Sequence, residues 1–255
     1  MRRLVLAVCL VSLLAGCGTF IGDSPPPSDE RAVAAVEEAN RSIAPVDAYR
    51  FEMDMHVAAS ADGQSRTVQV DGDGAVNVSA KRMRATSQTQ DQTVDSYVDG
   101  YRAYQGCQEP WGGYAVENVS RTEPWATATP LHRQVLLFER SNVYWRGNET
   151  LDGNRTVLVT ASPSADTLES IMDRRRTGDV GLDGASLENA TARLWLDPET
   201  NRPVQSELRI RISQRGATAT ATITVQYTGY DEPTRVSIPP DVYDDPYQLG
   251  CPGAG

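Results

Sequence analysis

One lysine (Lys81), two histidines, three phenylalanines and four cysteines are all that 255 residues contain of these types. Each scarcity removes a class of chemistry. Neither histidine has a metal-ligand or catalytic pattern around it: there is no His-Glu-x-x-His, no Gly-x-Ser-x-Gly and no glycine-rich loop ending in Lys-Ser/Thr. His56 and His132 each fall on the polar side of an expected element, so both read as surface residues. No cysteine pair has redox spacing, and no apolar run is long enough to span a bilayer. No catalytic residue, metal or cofactor is assigned.

What is abundant is acid. The formal net charge is -10, and it is more negative still without Arg2 and Arg3. Such a chain repels nucleic acid and anionic headgroups, which argues against nucleic acid as a partner. An acidic chain with almost no lysine looks like the proteins of halophilic archaea. Hydrophobic content of 40% is enough for a real core.

The N-terminus reads as an address. Met1-Arg2-Arg3 is basic, Leu4 to Leu14 is apolar, and Leu14-Ala15-Gly16 places small residues before Cys17. This is the pattern of an export signal over residues 1–16. Leu14-Ala15-Gly16-Cys17 resembles a prokaryotic lipobox, which implies lipidation of Cys17 and a lipid-anchored place on the extracytoplasmic face of the membrane. Arg2-Arg3 also resembles a twin-arginine signal, and Sec and twin-arginine export both stay open. Residues 17–27, with Pro25 to Pro27, make a stiff tether, and 28–255 the folded domain.

Within that domain the pattern is mostly of period two. Glu207, Arg209 and Arg211 alternate with Leu208, Ile210 and Ile212; Thr218 to Thr224 alternate with Ala219, Ala221 and Ile223. Tyr49, Phe51, Met53, Met55 and Val57 alternate with Arg50, Glu52, Asp54 and His56. One dry and one wet face is the mark of an antiparallel sheet. Three helices interrupt it. Ser28 caps the first, with Val33, Val36, Ala39 and Ile43 inward. Thr129-Pro130 opens the second, with Leu131, Val135 and Phe138 inward. Ser164 opens the third, with Leu168, Ile171 and Met172 inward and Arg174 to Arg176 at its end. Residues 178–184 read as a loop, and Val236 as part of a last strand before an acidic tail. The expectation is an α+β domain: a curved antiparallel half-barrel sheet of about nine to eleven strands wrapped around three helices. Such a sheet carries more apolar surface than three short helices seal.

The helix-then-strand opening, the long meander and Leu194-Trp195-Leu196-Asp197 followed by Thr200 and Pro203 resemble the LolA/LppX/LprG superfamily of lipoprotein-sorting and lipid-carrier proteins. The resemblance implies a half-barrel whose concave side accepts acyl chains of a lipid or lipoprotein. Candidate lining residues are Phe51, Met53, Met55, Met83, Leu208, Ile210 and Ile212. For the methionines and Phe51, an adaptable lining and an ordinary core stay equally open. The rival functional reading is a structural or adhesive envelope lipoprotein with a filled core.

Smaller features complete the reading. In an exported chain Cys107 and Cys251 are expected to pair. Of six Asn-x-Ser/Thr triplets, Asn148 and Asn154 stand beside turns and are the better glycan acceptors. Asp71-Gly72-Asp73-Gly74 and Asp241 with Asp244-Asp245 lack the full spacing of a calcium loop and read as turns and solvated acid. Replacing the acceptor, Cys17→Ser, is expected to move the protein from the membrane fraction into the medium. Retention at the membrane would refute the anchor.

Overall fold

The computed structural model describes residues 25–119, 121, 124–171 and 186–253. Cys17, Met172, Arg174 to Arg176 and the 178–184 loop lie outside them. Helix α1 (Glu30–Ile43) is followed by strands β1 (Ala48–Ala61), β2 (Gln64–Asn77), β3 (Arg82–Gln88), β4 (Thr93–Asp99), β5 (Arg102–Gly106) and β6 (Tyr114–Asn118). A 3-10 turn (Trp125–Ala128) and α2 (Pro130–Glu139) lead to β7 (Asn142–Leu151) and β8 (Asn154–Ser162). Then come α3 (Ala165–Ile171), β9 (Ser186–Leu196), β10 (Pro203–Gln214) and β11 (Ala217–Thr228). All eleven strands make one antiparallel, curved and unclosed sheet in the order β6-β5-β4-β3-β2-β1-β11-β10-β9-β8-β7.

Two meanders, β1 to β6 and β7 to β11, are therefore welded where β1 meets β11, from Arg50 opposite Thr228 to Ser60 opposite Thr218. This places β6 and β7 at opposite edges. The chain between them must cross the arch, and α2 makes that crossing. On the concave side Ala32, Val36 and Ala39 of α1, Leu137 and Phe138 of α2 and Leu168 of α3 pack on β7 to β10. Ile43, Trp125, Leu131 and Val135 seal Tyr49, Phe51, Val76, Val98, Val225 and Tyr227 in a second cluster.

Several expectations are corrected. The stripe of α1 is Ala32, Val36, Ala39 and Ile43, and Val33 is 37% exposed; positions 32, 36, 39 and 43 keep the 3.6-residue period more closely. Ser28 does not cap α1. The residue preceding the helix is Asp29, and its side chain makes no cap hydrogen bond. Instead the Ser28 hydroxyl accepts from the Val143 N–H at 3.0 Å and the Asp29 carboxylate from the Trp145 N–H at 2.9 Å. Both donors belong to β7, an edge strand whose free N–H groups would otherwise offer a template for aggregation. Ser164, by contrast, does cap: its hydroxyl accepts from the Thr167 N–H at 3.1 Å.

Nor is there a strand at Val236. Residues 229–239 carry no strand, and the tail folds over the convex face of β4 to β6, where Val242 and Ile238 meet Tyr97, Tyr104, Tyr114 and Val116. It pairs with the other edge: the Val116 N–H donates to the Tyr247 carbonyl at 2.9 Å and the Tyr247 N–H to the Tyr114 carbonyl at 2.8 Å. Cys107 and Cys251 are bonded, with Cα atoms 5.3 Å apart and a sequence separation of 144. Closing so long a loop contributes roughly 4 to 5 kcal/mol on the chain-entropy account.

Asp71-Gly72-Asp73-Gly74 is no turn but the middle of β2. The two glycines face the concave side because the Phe51 ring lies over one and Met53 over the other. A Cβ on Gly74 would stand 2.3 Å from Phe51 Cζ and 2.7 Å from the Arg84 carbonyl. On Gly72 it would meet the Thr86 carbonyl at 3.0 Å and the flexible end of Met53 at 3.3 Å. Gly74→Ala is expected to lower unfolding stability by about 2 kcal/mol through overpacking, and Gly72→Ala by clearly less. Denaturant melts of the two variants check the order.

Candidate functional site

Alternation brings the dry positions of four central strands together. Met53 lies opposite Val225 and Gly72, Met55 opposite Ile223 and Val70, and Val57 opposite Ala221 and Val68. On the far side of β11, Leu208, Ile210 and Ile212 stand opposite Ile223, Ala221 and Ala219. These pairs make one apolar surface across β2, β1, β11 and β10.

Coverage of that surface changes along the strands. Tyr49 is fully buried, and Phe51, Leu208, Ile210, Val225 and Tyr227 are all 7% exposed or less. They lie beneath the helices, and their role is core packing. Further along, Met53, Met55, Val57, Val68, Val70, Ile212 and Ile223 are only half-buried. Met53 and Ile223 still touch the second cluster and Ile212 the first, while Met55, Val57, Val68 and Val70 join no described cluster. Met83 sits aside, packed among Val76 and Val98. The candidate lining thus divides: Phe51, Leu208 and Ile210 are interior, whereas Met53, Met55 and Ile212 stand at or beyond the margin of the helical layer. Val57, Val68, Val70 and Ile223 share that half-buried surface but were not among the candidates. The alternation of Val68 and Val70 with Thr67, Gln69 and Asp71, and of Ile223 with Thr222 and Thr224, was the available signal.

Buried polar groups of the strands are partnered, whereas the Gln134 Oε1 of α2 is buried without a hydrogen bond. The Tyr49 hydroxyl accepts from the Leu131 N–H at 3.2 Å, and Ser206 Oγ and the Tyr227 hydroxyl are 3.1 Å apart. Burial raises both tyrosine pKa values above the ordinary range.

The convex face is the opposite in character. Glu52 is opposite Asp73 and Asp54 opposite Asp71, like-charge pairs that cost stability. A cavity of about 350 Å³ lies among Glu52, Asp54, Asp71, Asp73, Gln88, Thr224 and Gln226. Another of about 720 Å³ lies at the strand ends among Asp152, Asn154, Asp197, Gln205, Tyr227 and Thr228. No grouping of His, Cys, Asp and Glu that could hold a metal ion occurs among the described residues. In the Leu194-Trp195-Leu196-Asp197 motif, Leu194 and Leu196 enter the core, and the Trp195 indole N–H donates to Glu149 at 3.0 Å. Asp197 folds the turn by accepting from the Thr200 N–H at 2.7 Å and the Glu199 N–H at 2.9 Å. Its role is structural.

Asn148 and Asn154 are exposed. Asn40 is held by Glu139, and Asn77 donates to the Thr234 carbonyl at 3.0 Å. His56 is exposed, 3.4 Å from Asp54. His132 is not a surface residue: it is half-buried, with Nδ1 3.2 Å from Thr129 Oγ1, and burial pushes its pKa from 6.5 down to about 4. The folded state thus favours neutral imidazole, and that stability, present above pH 6.5, is lost as pH falls toward 4. Between pH 7 and pH 5 the loss is roughly 2 kcal/mol. His132→Gln is expected to flatten this part of the pH dependence, as read from denaturant melts at the two pH values.

No family model matches the chain, and no curated protein matches it. Among solved structures it is similar to lipoprotein LppX of Mycobacterium tuberculosis, at 14% identity and a TM-score of 0.49 over 82% of this chain and 100% of that one. LprF of Mycobacterium bovis gives 11% and 0.48, over 84% and 99%. A LolA superfamily protein of Nitrosomonas europaea gives 10% and 0.28, over 83% and 96%. With identities this low and TM-scores under 0.5, function has to be read from this chain's own residues.

Proposed function

We propose that this protein is a non-enzymatic carrier or receptor that holds a hydrophobic chain, of a lipid or an acylated protein, against the half-covered part of its concave face. The observation that carries the reading is the gradient along β1, β2, β10 and β11, from sealed core at Phe51 and Tyr227 to half-buried Met55, Val57, Val68 and Val70. Water on that surface is unfavourable, and each methylene laid over it contributes on the order of 0.8 kcal/mol. Methionines at the margin suit ligands of varied shape. The reading places the domain, residues 28–255, on the extracytoplasmic side, tethered by a lipid on Cys17, with no nucleic-acid partner. Glycans on Asn148 and Asn154 fit the same location, since both side chains are exposed.

A second reading, a structural or adhesive envelope lipoprotein with a filled core, is favoured by the complete burial of the helix-covered half. Native mass spectrometry and displacement of a lipophilic fluorescent probe separate the two. The carrier reading expects co-purified lipid, probe binding, and at least a tenfold loss of probe affinity in Val57→Asp with an unchanged melting temperature. Preparations that repeatedly carry no lipid and bind no probe would leave the structural reading.

A further inference from the structure

The sheet sorts charge by face. On β1 and β2 the acids Glu52, Asp54, Asp71 and Asp73 all take the convex side, since they alternate with Phe51, Met53, Met55, Val70 and Gly72. The concave positions of β1, β2, β10 and β11 hold one charged residue, Arg66, directly opposite Ala59 and two residues beyond Val68. Arg66 is exposed, and its side chain has no hydrogen bond or ion pair among the described residues. Asp62, in the β1–β2 turn, is the nearest acid along the chain, and no ion pair joins the two. Arg215, in the β10–β11 turn at the same end of the sheet, adds a second cation to that rim.

We infer that the ligand of the proposed site is an anionic amphiphile, its chain along the apolar shelf and its carboxylate or phosphate headgroup on Arg66. This rests on the carrier reading and goes one step past it, to the polar end of the ligand. The shelf from Met53 to Ala59 is about 20 Å long at ~3.3 Å per residue, so a long acyl chain lying on it delivers its head to the rim. A guanidinium presents a fork of donors matched to a carboxylate or phosphate. The acidity of the whole chain does not cancel this. The acids of the central strands are on the other face, and at physiological ionic strength charges beyond about 8 Å are largely screened.

The test compares palmitate with the uncharged hexadecanol on the full-length protein, with inorganic phosphate alone as a third probe. The expected result is about tenfold tighter binding of palmitate, the size of one charge-assisted pair. Arg66→Gln should bring palmitate to the level of hexadecanol without changing hexadecanol itself. Arg66→Lys should restore part of the difference, and the thermal melt should stay the same. Equal affinity of the wild type for both chains, or a palmitate preference that survives in Arg66→Gln and Arg66→Gln/Arg215→Gln, overturns the headgroup assignment alone. Binding of free phosphate as tight as palmitate overturns the assignment to an amphiphile. Failure of both chains to bind overturns the carrier reading with it.

Discussion

Eleven register pairs between β1 and β11 are what turn this chain into one sheet. Each meander pairs strands that are neighbours in sequence, but neither alone would be curved around anything. Joining them at their long inner strands puts β6 and β7 at the two edges and sends the connecting chain, with α2, across the hollow. The interior, the position of the helices and the strip of apolar surface they leave uncovered all follow from that one ladder. Its inner strands are the longest and outrun the helices, so the least covered apolar residues fall in the middle of the sheet.

Much of this was legible because strand periodicity survives in the raw sequence. The alternation from Tyr49 to Val57 and from Leu208 to Ile223 marked the two faces, though not that β1 pairs with β11, and Thr129-Pro130 marked α2 where it begins. Other features were hidden for physical reasons. Gly72 and Gly74 read as a turn because glycine usually signals one; here they make room for Phe51 and Met53 from the neighbouring strand, a contact fixed by register rather than by local sequence. His132 looked exposed because α2 is wrapped on more than one side, by α1, α3 and the sheet. Ser28 and Asp29 look like a helix cap, yet their hydroxyl and carboxylate serve a strand more than a hundred residues away.

The separation of charge follows from the same alternation. A strand cannot place acids on one face without placing something else on the other, and here the something else is apolar until Arg66. The convex acids make that face well hydrated, at the cost of the like-charge neighbours Glu52 and Asp73. On the concave side of β1, β2, β10 and β11 the one charged residue, Arg66, stands apart from those carboxylates.

The two outer strands are both covered by the ends of the chain itself. Residues 26, 28 and 29 are hydrogen-bonded along β7, and Tyr247 pairs with β6 while Cys251, four residues on, is bonded to Cys107. The two fastenings differ in kind. One is covalent; the other is a handful of hydrogen bonds next to the segment that would lead to the membrane. If the proposed tether at Cys17 were put under mechanical tension, the grip of Ser28 and Asp29 would be the first loaded, and peeling it would expose the rim of β7 while the opposite rim stayed shut.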